Sequence, residues 1–71
     1  MHKEQLSQLA EALLRLPEDQ RQAVELHHLQ GLPLADVGRH LGRSREAVAG
    51  LVFRGLKTLR VLLVEKREQS T

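Results

Sequence analysis

Pro17, the Gly31–Pro33 stretch and Gly42 constrain this chain more than any other feature. Each interrupts a helical apolar periodicity, and together they divide the 71 residues into four segments. Leu6, Leu9, Ala10, Leu13 and Leu14 follow the i, i+3, i+4, i+7 spacing of a first amphipathic helix. Proline disfavours helical backbone in the residue before it, so this helix ends before Pro17. Pro17 suits the first turn of a second helix, and Glu18 and Asp19 suit its positive dipole end. Ala23, Val24, Leu26 and Leu29 carry that helix to about Gln30, with Gly31 as a left-handed stop. A short third helix begins around Pro33–Leu34, carries Val37 and Leu41, and stops at Gly42. Ser44 can cap a fourth, which meets no Gly or Pro stop before the polar tail and can run to about Arg67. At 1.5 Å per residue such a helix spans roughly 36 Å. No β-alternation competes anywhere. The expected fold is all-α: four helices over residues 1–68, a helix-turn-helix at the C-terminal end, a long last helix, and a frayed tail at 69–71.

Composition excludes several functions. With no cysteine there is no disulfide, thiolate zinc site or cysteine nucleophile. Phe53 is the one aromatic residue, too little for a platform that stacks bases. No run of about 18 apolar residues exists to cross a membrane. No apolar stretch follows Lys3 to make a signal peptide. These features lead to the expectation of a cytoplasmic domain.

The net charge of +2 conceals a segregation. Residues 1–38 carry six acids against Lys3, Arg15 and Arg21. Residues 39–60 carry Arg39, Arg43, Arg45, Arg54, Lys57 and Arg60 against Glu46 alone. A basic block in an otherwise acidic chain suits an anionic partner, although a solvated helix face would look the same.

The most informative unit runs from Leu34 to Leu59. A short helix meets a long one across Gly42-Arg43-Ser44, which is the sequence shape of a helix-turn-helix. Gly38 is small enough to let the two helices approach, and Gly42 can take the positive φ of the turn. At about 100° per residue, Val48, Val52, Gly55, Leu59 and Leu63 gather on one side of the fourth helix. Leu51, Leu56 and Leu62 flank that side. Ala49, Gly50, Phe53, Arg54, Lys57 and Arg60 lie opposite, so the basic block shares a face with Phe53.

Three motifs in register resemble region 4 of bacterial sigma factors. Leu16-Pro17-Glu18-Asp19-Gln20-Arg21-Gln22-Ala23-Val24 resembles the "LPxxxRxxh" opening of that region. Leu29-Gln30-Gly31-Leu32-Pro33-Leu34-Ala35-Asp36-Val37-Gly38 resembles "hxGhsxxEIA". Leu41 to Val48, followed by Phe53-Arg54-Gly55-Leu56-Lys57-Thr58-Leu59-Arg60, resembles "LGhSxGTVKSRhxRAxxxLR", the form of the extracytoplasmic-function (ECF) subgroup.

The resemblance implies a domain that places its recognition helix in the major groove of the minus-35 promoter element. Such a domain docks on the β flap of RNA polymerase, and in many members an anti-sigma factor covers the same surfaces. By position, the implied DNA-facing residues are Arg43, Ser44, Arg45, Glu46, Ala49, Gly50, Phe53 and Arg54. Lys57 and Arg60 lie further along, toward the backbone. Arg43, Ser44 and Arg45 stand where side chains and free helix N–H groups can both meet phosphate. The family's region 2, which melts the promoter, is missing from this stretch, so an excised domain or an unusually short protein is expected.

The departures from the pattern bear on DNA readout. "TVKSR" is Ala47-Val48-Ala49-Gly50-Leu51 here, so its Lys, Ser and Arg are replaced by Ala, Gly and Leu, whose side chains cannot hydrogen-bond to a base. Pro33 stands where the family starts its helix with Ser or Thr. The domain therefore has two readings: a promoter-recognition module, or a sigma-like module that binds polymerase or an anti-sigma factor and reads DNA weakly. A LuxR-type output domain fits the Arg54–Arg60 ending poorly. No catalytic arrangement, phosphate loop or i, i+4 metal pair accompanies His27-His28. No enzyme activity, cofactor, small-molecule substrate or membrane partner is expected.

Overall fold

A computed structural model describes residues 3–69, with side chains described for Ser7–Glu65. It contains α1 (Lys3–Leu14), α2 (Glu18–Val24), a π-wound continuation of α2 over Glu25–Leu29, α3 (Leu34–Leu41) and α4 (Arg45–Gln69). No strand occurs among the described residues, in agreement with an all-α helix-turn-helix domain. The 25-residue α4 packs against α1, α2 and α3. Its length sets the long dimension of a body measuring 41 × 20 × 14 Å. It ends at Gln69, beyond the expected Arg67, and of the tail expected at 69–71 Ser70 and Thr71 lie outside the described residues.

Pro17 stands one residue earlier in its helix than a first-turn reading gives, and Pro33 holds the helix-entry position expected for it. Pro17 (φ −53°, ψ 145°) and Pro33 (φ −60°, ψ 152°) are the N-cap residues of α2 and α3, and neither side chain makes a capping bond. Their carbonyls accept the first helical N–H groups, Arg21 onto Pro17 at 2.9 Å and Val37 onto Pro33 at 3.0 Å. Extended ψ at a residue with φ fixed near −65° is what the N-cap position requires, so proline turns the chain there without a side-chain bond.

The inward face of α1 differs from the expected one. Ala12, Leu13 and Leu16 are buried and Leu9 is half-buried, whereas Ala10 is exposed and Leu14 is 76% exposed. Leu6, Leu9, Ala10 and Leu13 satisfy the helical spacing, and so do Leu9, Ala12, Leu13 and Leu16. Packing selects the second set, because the chain continues past the end of α1 in a tight turn that carries Leu16 inward. Arg15 and Leu16 there donate to Ala12 and Leu13, each at 3.1 Å. The side chain of Leu6 lies outside the described residues.

The second helix also departs from a regular α-helix. Over Glu25–Leu29 it widens to π geometry, and Gln30 N–H donates to Glu25 O at 3.0 Å. Leu32 N–H then reaches back to Leu26 O at 3.0 Å around Gly31, whose φ is +78°. The wide turn brings His27 Nδ1 to 2.7 Å from Leu32 O, to which it donates. A single extra residue per turn leaves the apolar spacing almost unchanged, so periodicity does not reveal it.

Two apolar clusters hold the body together. Ala12, Leu13, Leu16, Val24 and Leu59 join α1 and α2 to the middle of α4. Ala23, Val37, Val48, Leu51 and Val52 join α2 and α3 to its first half. Leu51, expected on a flank, is 3% exposed and belongs to the second cluster. Leu56 packs against both.

Candidate nucleic-acid interface

The geometry of the helix-turn-helix follows from two glycines. Gly42 ends α3 with φ 68° and ψ 37°, a left-handed conformation that costs glycine no steric penalty. At Gly38 a Cβ would lie 2.5 Å from the Arg43 carbonyl oxygen, inside van der Waals contact. Arg43 N–H donates back to Gly38 O at 2.9 Å. The backbone of Arg43 is therefore gripped on both sides, and the start of α4 is fixed relative to α3. Ser44 caps α4 as expected: its Oγ accepts Ala47 N–H at 3.1 Å, and its carbonyl accepts Val48 N–H at 3.0 Å.

This frame turns Val48, Leu51, Val52, Gly55 and Leu59 inward and leaves the opposite side of α4 open. Arg43, Ser44, Arg45, Glu46, Phe53, Arg54 and Lys57 are exposed, and Ala49 and Gly50 are half-buried. Phe53 is 69% exposed and does not fold back onto a neighbouring helix. It lines a recess of about 250 Å³ with Leu56, Lys57 and Arg60. Arg60, exposed one turn beyond Lys57, extends the basic strip.

Charge on this face is largely uncompensated. Among the described residues Arg45, Arg54, Lys57 and Arg60 make no ion pair. Arg21, on the acidic side, is tied to Glu18 and to Glu25, and Arg39 to Asp36. The field of Arg54, Lys57 and Arg60 therefore projects from one side of α4, and Arg45 adds to it at the first turn of the helix. Arg54 lies along the helix over Gly50, its Nη1 3.6 Å from where a Cβ there would stand. Gly50 thus meets no packed neighbour, whereas a Cβ at Gly55 would lie 2.7 Å from Val24 Cγ2.

One feature of the site has no signal in the sequence. Arg43 Nη2 stands 3.6 Å from Asp19 Oδ2, an ion pair between the turn and the first turn of α2. Helical spacing pairs charges three or four positions apart, and these two are joined only by the tertiary fold. His27 is half-buried and His28 exposed, with their rings edge-on at 4.9 Å. No group of three or more potential metal ligands occurs among the described residues. No helix there is long and apolar enough to cross a membrane.

Comparison with known proteins agrees with this geometry. The family described as "Sigma-70, region 4" matches residues 6–59. The ECF RNA polymerase sigma factor BldN of Streptomyces coelicolor is 39% identical over 55 residues, covering 78% of this chain and 21% of that protein. The chain thus spans about a fifth of the length of this curated relative. No solved structure matches. The matched residues include α3, the turn after it and α4 as far as Leu59. The chain belongs to the sigma-70 region 4 family, in the form carried by ECF sigma factors.

Proposed function

We propose that the outward face of α4, together with the turn before it, binds duplex DNA at a minus-35 promoter element as the promoter-reading part of a sigma factor. The observation that carries this reading is the row of unpaired cations on a capped helix projecting from a helix-turn-helix. Arg43, Ser44 and Arg45 meet phosphate at the start of α4, where the free N–H groups and the helix dipole also favour an anion. Arg54 and Lys57 continue the contact along the groove, and Glu46 opposes phosphate on the same turn. Phe53 packs its exposed ring against thymine methyls. RNA polymerase, through its β flap, is the protein partner, with an anti-sigma factor as a regulator, and the domain acts in the cytoplasm. The name of its relative, an RNA polymerase sigma factor, supports this assignment.

A second reading keeps the protein partners and reduces DNA to a weak, phosphate-led contact. It is favoured by Ala49 and Gly50, which put no hydrogen-bonding side chain at the centre of the face, and by Phe53, exposed beside an apolar recess. A good bidentate base contact contributes roughly 1–3 kcal/mol of discrimination, and these positions offer none.

Competition between a promoter duplex and its scrambled counterpart at fixed salt separates the two readings. The first expects a clear preference that Phe53→Ala reduces, while Ala49→Lys tightens both duplexes alike. Equal affinity for the two duplexes overturns the first reading and is the result the second expects. A ratio above about 10³ would show that base readout is stronger than this face accounts for.

A further inference from the structure

We propose that Asp19 restrains DNA binding by holding Arg43 against the body of the domain, so that a phosphate must displace a carboxylate to engage the turn. This rests on the DNA-binding reading above. Arg45, Arg54 and Lys57 are free of ion pairs among the described residues, and Arg43 is the one cation of the proposed contact set that is not. The pairs made by Arg21 and Arg39 lie within single helical stretches, at i, i+3 or i, i+4. Arg43–Asp19 instead joins two elements that meet only in the folded chain.

Both ends of the pair have fixed roots. The Arg43 backbone donates to Gly38 O at 2.9 Å, and its own carbonyl is pressed against Gly38. Its side chain therefore leaves the turn from a set point. Asp19 Oδ1 accepts Gln20 N–H at 2.8 Å, which leaves Oδ2 toward the guanidinium. The 3.6 Å separation is too long for a hydrogen bond, and the side chains are 46% and 40% exposed. Such a contact is Coulombic and weak in water, strong enough to bias where Arg43 rests and weak enough for a phosphate to displace. The restraint is thus a modest subtraction from affinity, placed where α4 begins.

The test measures affinity for a labelled random-sequence duplex at low salt, with the 71-residue chain and the Asp19→Asn, Arg43→Gln and doubly substituted variants. Asp19→Asn should bind roughly two- to fivefold more tightly, the range set by an exposed ion pair. Arg43→Gln should bind more weakly, and adding Asp19→Asn to it should change nothing further. Helical content and melting of each variant check that the fold persists. An unchanged or weaker Asp19→Asn overturns the proposal. So does an equal gain in the Arg43→Gln background, which would assign the effect to the general field of one lost acid. If the unsubstituted chain does not bind the duplex, the DNA-binding reading fails and this proposal falls with it. If that chain binds and Asp19→Asn does not differ from it, only the restraint is wrong.

Discussion

The two faces of α4 carry a glycine each, and the difference between those glycines separates what folds the domain from what it presents. At Gly55, facing inward, a Cβ would stand 2.7 Å from a methyl of Val24, itself 2% exposed and unable to yield. At Gly50, facing outward, a Cβ would meet only the guanidinium of Arg54 at ordinary contact distance. A mid-helix glycine costs about 1 kcal/mol against alanine. At position 55 that cost is offset by close packing of α2 on α4. Nothing within the domain offsets it at position 50. The inward face is thus closed by fit, while the outward face is kept small and basic at some cost to the helix. An uncompensated local cost on an exposed face is the signature of a surface shaped for something outside the chain.

Substitutions at the tightest contacts should break this contrast most severely. Gly38→Ala drives a Cβ into the Arg43 carbonyl, a backbone group that cannot rotate away. It should lower stability by about 3 kcal/mol, the upper part of the overpacking range. A domain of this size has only a few kcal/mol of stability, so a large fraction should be unfolded at 25 °C by circular dichroism. Gly55→Ala should cost about 1–2 kcal/mol despite its better helix propensity, measured by urea denaturation. Ser44→Ala removes the bond to Ala47 N–H and should cost about 1 kcal/mol, seen as a lower midpoint with an unchanged m-value. Gly50→Ala should do the reverse and add about 0.5–1 kcal/mol in the same assay. A destabilising Gly50→Ala would mean that the outward face is packed after all, and the contrast between the two faces would be lost.

The sequence carried the helix-turn-helix well because its determinants are local. Gly42 ends α3, Ser44 caps α4, and Val37, Val48 and Val52 lie at helical spacing, each decided within a turn or two of its own position. The facing of α1 was ambiguous because two overlapping sets of apolar residues satisfy one period, and contact with Leu59 on a remote element chooses between them. The π-wound turn at Glu25–Leu29 left no trace because its gain, the closure of Leu32 and His27 onto one another's turn, is made in three dimensions. The candidate site divides in the same way. That Phe53, Arg54, Lys57 and Arg60 share a side of α4 follows from rotation alone. That Arg43 leans toward Asp19, and that Arg54 lies over Gly50, depends on the folded surroundings.

The most direct test of this division is the affinity of the chain for duplex DNA as a function of salt, with charge reversals at Arg54 and Arg15. If the outward face of α4 neutralises about four phosphates, log K should fall against log salt with a slope near −3.6. Arg54→Glu should weaken binding strongly and flatten that slope, while Arg15→Glu, an exposed change at the end of α1, should do little. Affinity that is indifferent to salt, or equal losses from the two reversals, would contradict the assignment of DNA binding to this face.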